Sequence, residues 1–240
     1  MDILQLLDNF GIEEYDINDD GSVDVYDSVY ITGNTGMGQL PIKFGKVNGH
    51  FYCNGNDLTT LEGCPTEVTN NFFCNFNKLT SLKGCPNYLG GDFSCSNNYL
   101  TELDYLPKEI KGYINCNDNK LTTLKGCPEH LKDLFCRNNK LTSLEYSPSR
   151  IDEVFDFSYN EIRDLYGISD YIGNDIQFYG GRNPIESIIT KPVDIDFIKR
   201  FNSYKVIKDE RVDLKRLKYL MEVSEMDYDI EKIKKHYEII

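Results

Sequence analysis

The chain has 240 residues and a formal charge of −13, from 39 acidic against 26 basic side chains, with no run of 18 apolar residues. Such a run is what a membrane-spanning helix requires, and phosphate-backbone binding needs clustered positive charge, so neither a membrane nor a nucleic acid is an expected partner. The excess is uneven: residues 1 to 40 hold nine acids and no Lys or Arg, which leaves 30 acids against 26 bases in the other 200.

Ile3, Leu4, Leu6, Leu7 and Phe10 recur at helical spacing, and Gly11 is a natural stop. This acidic start has no basic segment ahead of an apolar stretch and does not read as a secretory signal. The expected location is the cytoplasm of the producing cell, or a virion. Next, Asp16, Asn18, Asp20, Ser22, Asp24 and Asp27 fall at positions 1, 3, 5, 7, 9 and 12 of a calcium loop, with Gly21 at position 6. The stretch resembles the loop of a dockerin module, which implies a calcium-loaded scaffolding or adhesion module. Val23, Val25, Val29 and Ile31 alternate, which suits a hairpin entering the next segment instead. The leading reading is the hairpin with no cofactor; calcium is the alternative.

Six asparagines then recur at Asn56, Asn77, Asn98, Asn119, Asn139 and Asn160, spaced 21, 21, 21, 20 and 21 residues apart. A fixed period near 21 marks a stacked solenoid. Numbered from the Asn, apolar residues recur at −5, −3, +2, +5, +8 and +12, as in Phe72, Cys74, Leu79, Leu82, Cys85 and Leu89. The alternation at −5 and −3 predicts a short strand with one face inward, paired in parallel with its copies. Each Asn is expected to satisfy backbone groups where the chain leaves the strand. Pro65, Pro86, Pro107, Pro128 and Pro148 at +9 leave little room for a helix on the return leg, which is expected to be extended or 3₁₀. Asn34 and Asn183 extend the frame to eight units, the outer two irregular. The eight cysteines sit in repeat-specified slots without a CxxC pair, so they read as buried thiols, not disulfides or zinc ligands.

The frame LxLxxNxL, as in Phe72-x-Cys74-x-x-Asn77-x-Leu79, is that of a leucine-rich repeat. The consensus CxxNKLTSLKGCP, with the lead-in from Leu40, resembles short leucine-rich-repeat proteins of tailed bacteriophages. The resemblance implies an α/β repeat solenoid: a leucine-rich-repeat horseshoe with a parallel β-sheet, a short N-terminal helix/strand cap and a C-terminal helical cap. The expected divisions are an acidic N-terminal cap with the first irregular repeat (1–39), the leucine-rich-repeat solenoid (40–188) and the C-terminal cap (189–240). In the last of these, Asp194 to Phe201, Asp213 to Val223 and Asp229 to Ile240 read as three short amphipathic helices, each opened by an Asp.

No Ser/His/Asp set, HExxH, phosphate-binding loop or GxGxxG occurs, and the histidines His50, His130 and His236 are scattered. The expected function is therefore non-enzymatic. Side chains at −6, −4 and −2 alternate with the buried ones and should point outward. They include Tyr52, Phe73, Tyr113, Phe135, Arg137 and Tyr179, aromatic and Arg anchors of the kind that bind proteins. Their competing reading is packing along the sheet. The partner expected is another protein, of the host or the virus, engaged by the concave sheet. The alternatives are a structural part of a phage virion and the calcium-loaded module.

Overall fold

Each unit folds as one turn of a parallel β-solenoid, and the computed structural model describes residues 2–240. The −5 and −4 residues of successive turns form one 8-stranded sheet. It begins at β3 (Val29–Tyr30), passes through Phe51–Tyr52, Phe72–Phe73, Phe93–Ser94, Ile114–Asn115, Leu134–Phe135 and Val154–Asp156, and ends at Asp175–Gln177. Within it, equivalent residues pair in register, Phe51 with Phe72 and Phe72 with Phe93. Equal side chains therefore stack: these three inward rings lie 5.7 and 5.8 Å apart and nearly parallel.

The return leg is extended and forms a second parallel sheet at +11 and +12, a pairing that its two-residue strands do not advertise in the sequence. Ahead of the repeats lie α1 (Ile3–Asn9) and a hairpin of β1 (Tyr15–Ile17) and β2 (Val23–Val25). β2 pairs in parallel with Phe44–Val47, so the hairpin occupies the first edge of this second sheet. The core fills the space between the sheets with the −5, −3, +2, +5 and +12 side chains.

The Asn ladder holds the turns together. Asn98 Nδ2 donates to the carbonyls of Cys95 and Ser96 in its own turn and of Cys74 in the turn before, at 3.0, 3.3 and 3.0 Å. Its Oδ1 accepts from the Leu79 amide at 2.9 Å. Asn77, Asn119, Asn139 and Asn160 repeat this set. Asn183 closes the series, accepting from Ile162 and donating to Phe157 and Phe178. Asn34 departs from it: with no earlier turn to reach, it is exposed and its side-chain amide donates to Thr32, while its backbone amide donates to Asn56 Oδ1.

The one 20-residue spacing, Asn119 to Asn139, leaves a mark. Three positions separate Leu131 from Leu134, against four between Leu89 and Phe93. Pairing of Ile114 with Leu134 in the first sheet is kept. The second sheet instead breaks: it runs as far as a bridge between Leu89 and Ile110 and resumes as a separate 3-stranded sheet from His130–Leu131. A shortened corner pulls the return leg out of register with the turn before it.

After the repeats, α2 (Ile195–Ser203), α3 (Leu214–Val223) and α4 (Ile230–Ile233) each open on an Asp, and Asp194, Asp213 and Asp229 accept from first-turn amides as expected. The third expected helix, Asp229 to Ile240, is corrected to a single turn. The chain ends instead as the strand Glu238–Ile239, parallel to Arg211–Val212, with the Tyr237 hydroxyl donating to the Arg163 carbonyl of the solenoid.

Replacing Asn98 by Ala strands one amide and three carbonyls at a buried corner, and each such group costs about 1–3 kcal/mol. Urea unfolding of Asn98→Ala is expected to show a loss of at least about 3 kcal/mol.

Candidate interaction surface

On the outer side of the eight-stranded sheet, four of the six expected residues meet. Tyr52 and Phe73 stack at 4.7 Å with their rings 3° apart, since both hold the −4 slot of neighbouring turns. Phe73 then reaches Tyr113, two turns on, at 6.5 Å, and Tyr113 meets Phe135 edge-on at 6.0 Å. The longer step passes over the turn whose −4 residue is Ser94, only 3% exposed. A residue this small lets rings from both sides lean over it. The ladder begins one turn earlier than expected, at Tyr30, which packs edge-on against Tyr52 at 5.2 Å. Counting back four from Asn34 gives Tyr30, so that signal was present in the sequence.

The polar residues flanking the rings are engaged by the scaffold. At −6, His50 Nδ1, Asn71 Oδ1 and Asp92 Oδ1 accept the amides of Asn71, Asp92 and Tyr113, at 3.3, 2.9 and 3.2 Å. At −2, Asn54, Asn75 and Asn117 accept the amides of Asn75, Ser96 and Arg137, at 2.9, 3.0 and 2.7 Å. Two rails of hydrogen bonds thus flank the rings of Tyr52 and Phe73 in the −4 slot, while Tyr113 stands in the −6 slot and interrupts one rail. Burial raises the pKa of Tyr52 and of Tyr113 above the usual phenol value, with the Asp92 carboxylate adding to the effect at both, so their hydroxyls stay protonated.

The other two residues stand apart. Arg137 is exposed, with its guanidinium 4.6 Å from the centre of the Tyr159 ring. Tyr179 does not hold the −4 slot. Gln177 pairs with Asp156 there, because Gly180 and Gly181 put two extra residues between the last strand and Asn183. Tyr179 packs on Phe178 at 4.5 Å. Its hydroxyl is buried without a hydrogen-bond partner, and burial pushes its pKa up to about 12.

The six residues of the calcium alternative lie on and around the β1–β2 hairpin, and each has a hydrogen-bond partner within the protein. Asp16 accepts from the Tyr26 hydroxyl, Asp24 from the Lys46 amide and Asp27 from the Ser28 amide. Asn18 donates to the Ser22 hydroxyl. Asp20 takes the Lys43 ammonium at 2.6 Å, which holds its carboxyl far below the ordinary range. Among the described residues no three His, Cys, Asp or Glu side chains converge as metal ligands.

All eight cysteines are free, and seven are buried. Burial raises Cys64, Cys74, Cys85, Cys95, Cys127 and Cys136 well above the usual thiol value and brings Cys116 to about 12, so thiolate is scarce at neutral pH. Cys127, the one partly exposed, lines a cleft of about 830 Å³ at the break in the second sheet, with Leu106, Ile110, Pro128 and Leu131. No helix among the described residues is long and apolar enough to cross a membrane. Comparison with known proteins returns no matching family model, no matching curated protein and no matching solved structure.

Two outcomes are expected. A thiol reagent applied to the native protein labels Cys127 first and the others only on unfolding, read by mass spectrometry. If the hairpin reading holds, addition of about 1 mM calcium shifts the melting temperature by less than about 1 °C relative to chelator, since Asp20 and Asp24 already have partners in the fold.

Proposed function

We propose that the protein is a non-enzymatic recognition module that binds another protein through the aromatic file on its eight-stranded sheet. One observation carries this reading. The polar side chains on either side of the rings are spent on neighbouring backbone amides, whereas Tyr30, Tyr52, Phe73, Tyr113 and Phe135 remain partly exposed. Rings fixed by stacking lose little freedom on binding and supply apolar area, the properties of anchor residues at protein interfaces.

The proposal extends to kind and setting. The Asn and Leu frame supports a leucine-rich-repeat horseshoe with this sheet on its inner side. The likeness of the unit to short phage repeats supports a phage-encoded protein that engages a host or viral protein in the infected cell.

The test is replacement of Tyr52, Phe73, Tyr113 and Phe135 together by Ser, beside a control that changes Tyr88 and Tyr171, exposed on the second sheet. Each lost ring pair costs about 0.5–1.5 kcal/mol, so the ladder variant should melt earlier yet keep its native circular dichroism. It should lose at least about ten-fold in affinity for the partner recovered with the wild-type protein, equal to about 1.4 kcal/mol, while the control keeps its affinity. Equal affinity of the ladder variant would refute the assignment.

A further inference from the structure

The two sheets end differently at the start of the solenoid. The second sheet is closed by the β1–β2 hairpin, whereas the eight-stranded sheet begins with β3 and nothing pairs beyond it. Val29 and Ile31 donate their amides inward, to the carbonyls of His50 and Tyr52. Parallel strands alternate the direction of their backbone groups, so the amides of Tyr30 and Thr32 face away from the sheet. Neither amide has an acceptor among the described residues.

Open edges usually carry charge or proline to prevent pairing. The segment Ser28-Val-Tyr-Ile-Thr-Gly-Asn34 has neither. Beside it lies a groove of about 790 Å³, lined among others by Leu6 of α1, Phe10 just after it, Tyr30, Thr32 and Asn34. Tyr30 is 54% exposed and opens the aromatic file. Of the nine acids in residues 1 to 40, Asp2 and Asp8 lie at the start and within α1, which lines the groove, and Asp27 precedes β3; all three are exposed, and no Lys or Arg occurs in the segment.

We propose that this edge is the docking site for an extended, basic segment of a partner protein, which adds a strand beside β3 and lays a side chain on Tyr30. The inference rests on the protein-binding reading above and names the chemistry of the partner. The unpaired amides supply the backbone pairing, the groove receives alternate side chains, and the acidic surroundings attract Lys and Arg. The same negative charge opposes the joining of two such edges from two copies of the chain.

The experiment uses the full chain and the peptide acetyl-Lys-Tyr-Lys-Val-Lys-Tyr-Lys-amide, with an otherwise identical peptide N-methylated at alternate residues so that it cannot pair as a strand. Amide exchange is followed by NMR. At half saturation the first peptide should slow exchange at Tyr30 and Thr32 by about two-fold, and the methylated one should leave both unchanged. Tyr30→Pro removes a donor that the fold does not use, which an edge strand tolerates; it should weaken binding at least about ten-fold, or about 1.4 kcal/mol. Equal binding of the two peptides would reduce the attraction to charge alone and overturn the proposal. So would unchanged exchange at Tyr30 and Thr32, or self-association that Tyr30→Pro abolishes. Tyr30→Pro spares the rings from Tyr52 to Phe135, and the four-Ser variant spares β3, so failure of one reading is distinguishable from failure of the other.

Discussion

One carboxamide per turn sets the architecture. A corner buried between two turns leaves an amide and several carbonyls that must be paired inside the protein. Asn supplies donors and an acceptor on a short stem, so Asn98 can serve Leu79, Cys74, Cys95 and Ser96 at once. Asp has the acceptors without the donors, and Gln would carry the group too far from the corner. Because each Asn bonds to its own turn and the one before, cohesion is a nearest-neighbour property, as in other stacked repeats.

The same corner demands strain. The residue before each ladder Asn is left-handed in every regular turn: Gly55, Phe76, Asn97, Asp118, Asn138 and Tyr159. For a residue other than Gly this conformation costs about 1–2 kcal/mol, so a single cheap turn cannot be the reason for it. The gain lies in the bonds that the next residue makes. A second left-handed slot lies at +7. A Cβ added to Gly84 or Gly126 there would come within 2.7 or 2.4 Å of the previous turn's carbonyl. Tyr105 and Tyr146 occupy that slot in other turns, left-handed and mostly exposed. Tyr105 adjoins Leu106 on one side of the cleft in the second sheet, and the shortened corner after Leu131 forms the other side.

Much of this was legible because the sequence repeats. Periodicity gave the turn, the inward −5, −3, +2, +5 and +12 side chains and the bonding task of the Asn, and position gave the capping role of Asp194, Asp213 and Asp229. What escaped depended on residues remote in sequence or on register. The spacing of Asp16 to Asp27 says nothing of Lys43 at Asp20 or of the Lys46 amide at Asp24, which arrive from a later turn. Tyr179 was misplaced because Gly180 and Gly181 lengthen the last unit after its strand, not before it. The second sheet was hidden since two-residue strands leave no alternation to read.

The aromatic file shows why packing and recognition need not be rival readings. Tyr52 and Phe73 do pack on each other, the competing reading of these residues, and in the proposed role that contact would itself suit them to a partner. Loose exposed rings would have to be ordered on binding, at about 0.5–1.5 kcal/mol for each side chain immobilised. Rings stacked at the fixed spacing of the strands have already met that cost in folding. The polar rails hold the same spacing from both sides, so their carboxylates and amides cannot swing out to compete for the partner. Under the proposed binding role, selectivity would rest on the order of rings and gaps along the sheet: rings at Tyr30, Tyr52 and Phe73, a dip at Ser94, rings again at Tyr113 and Phe135, and a buried carboxylate at Asp156. A partner would then have to match that profile over several turns at once, which a surface built from one repeated side chain would not require.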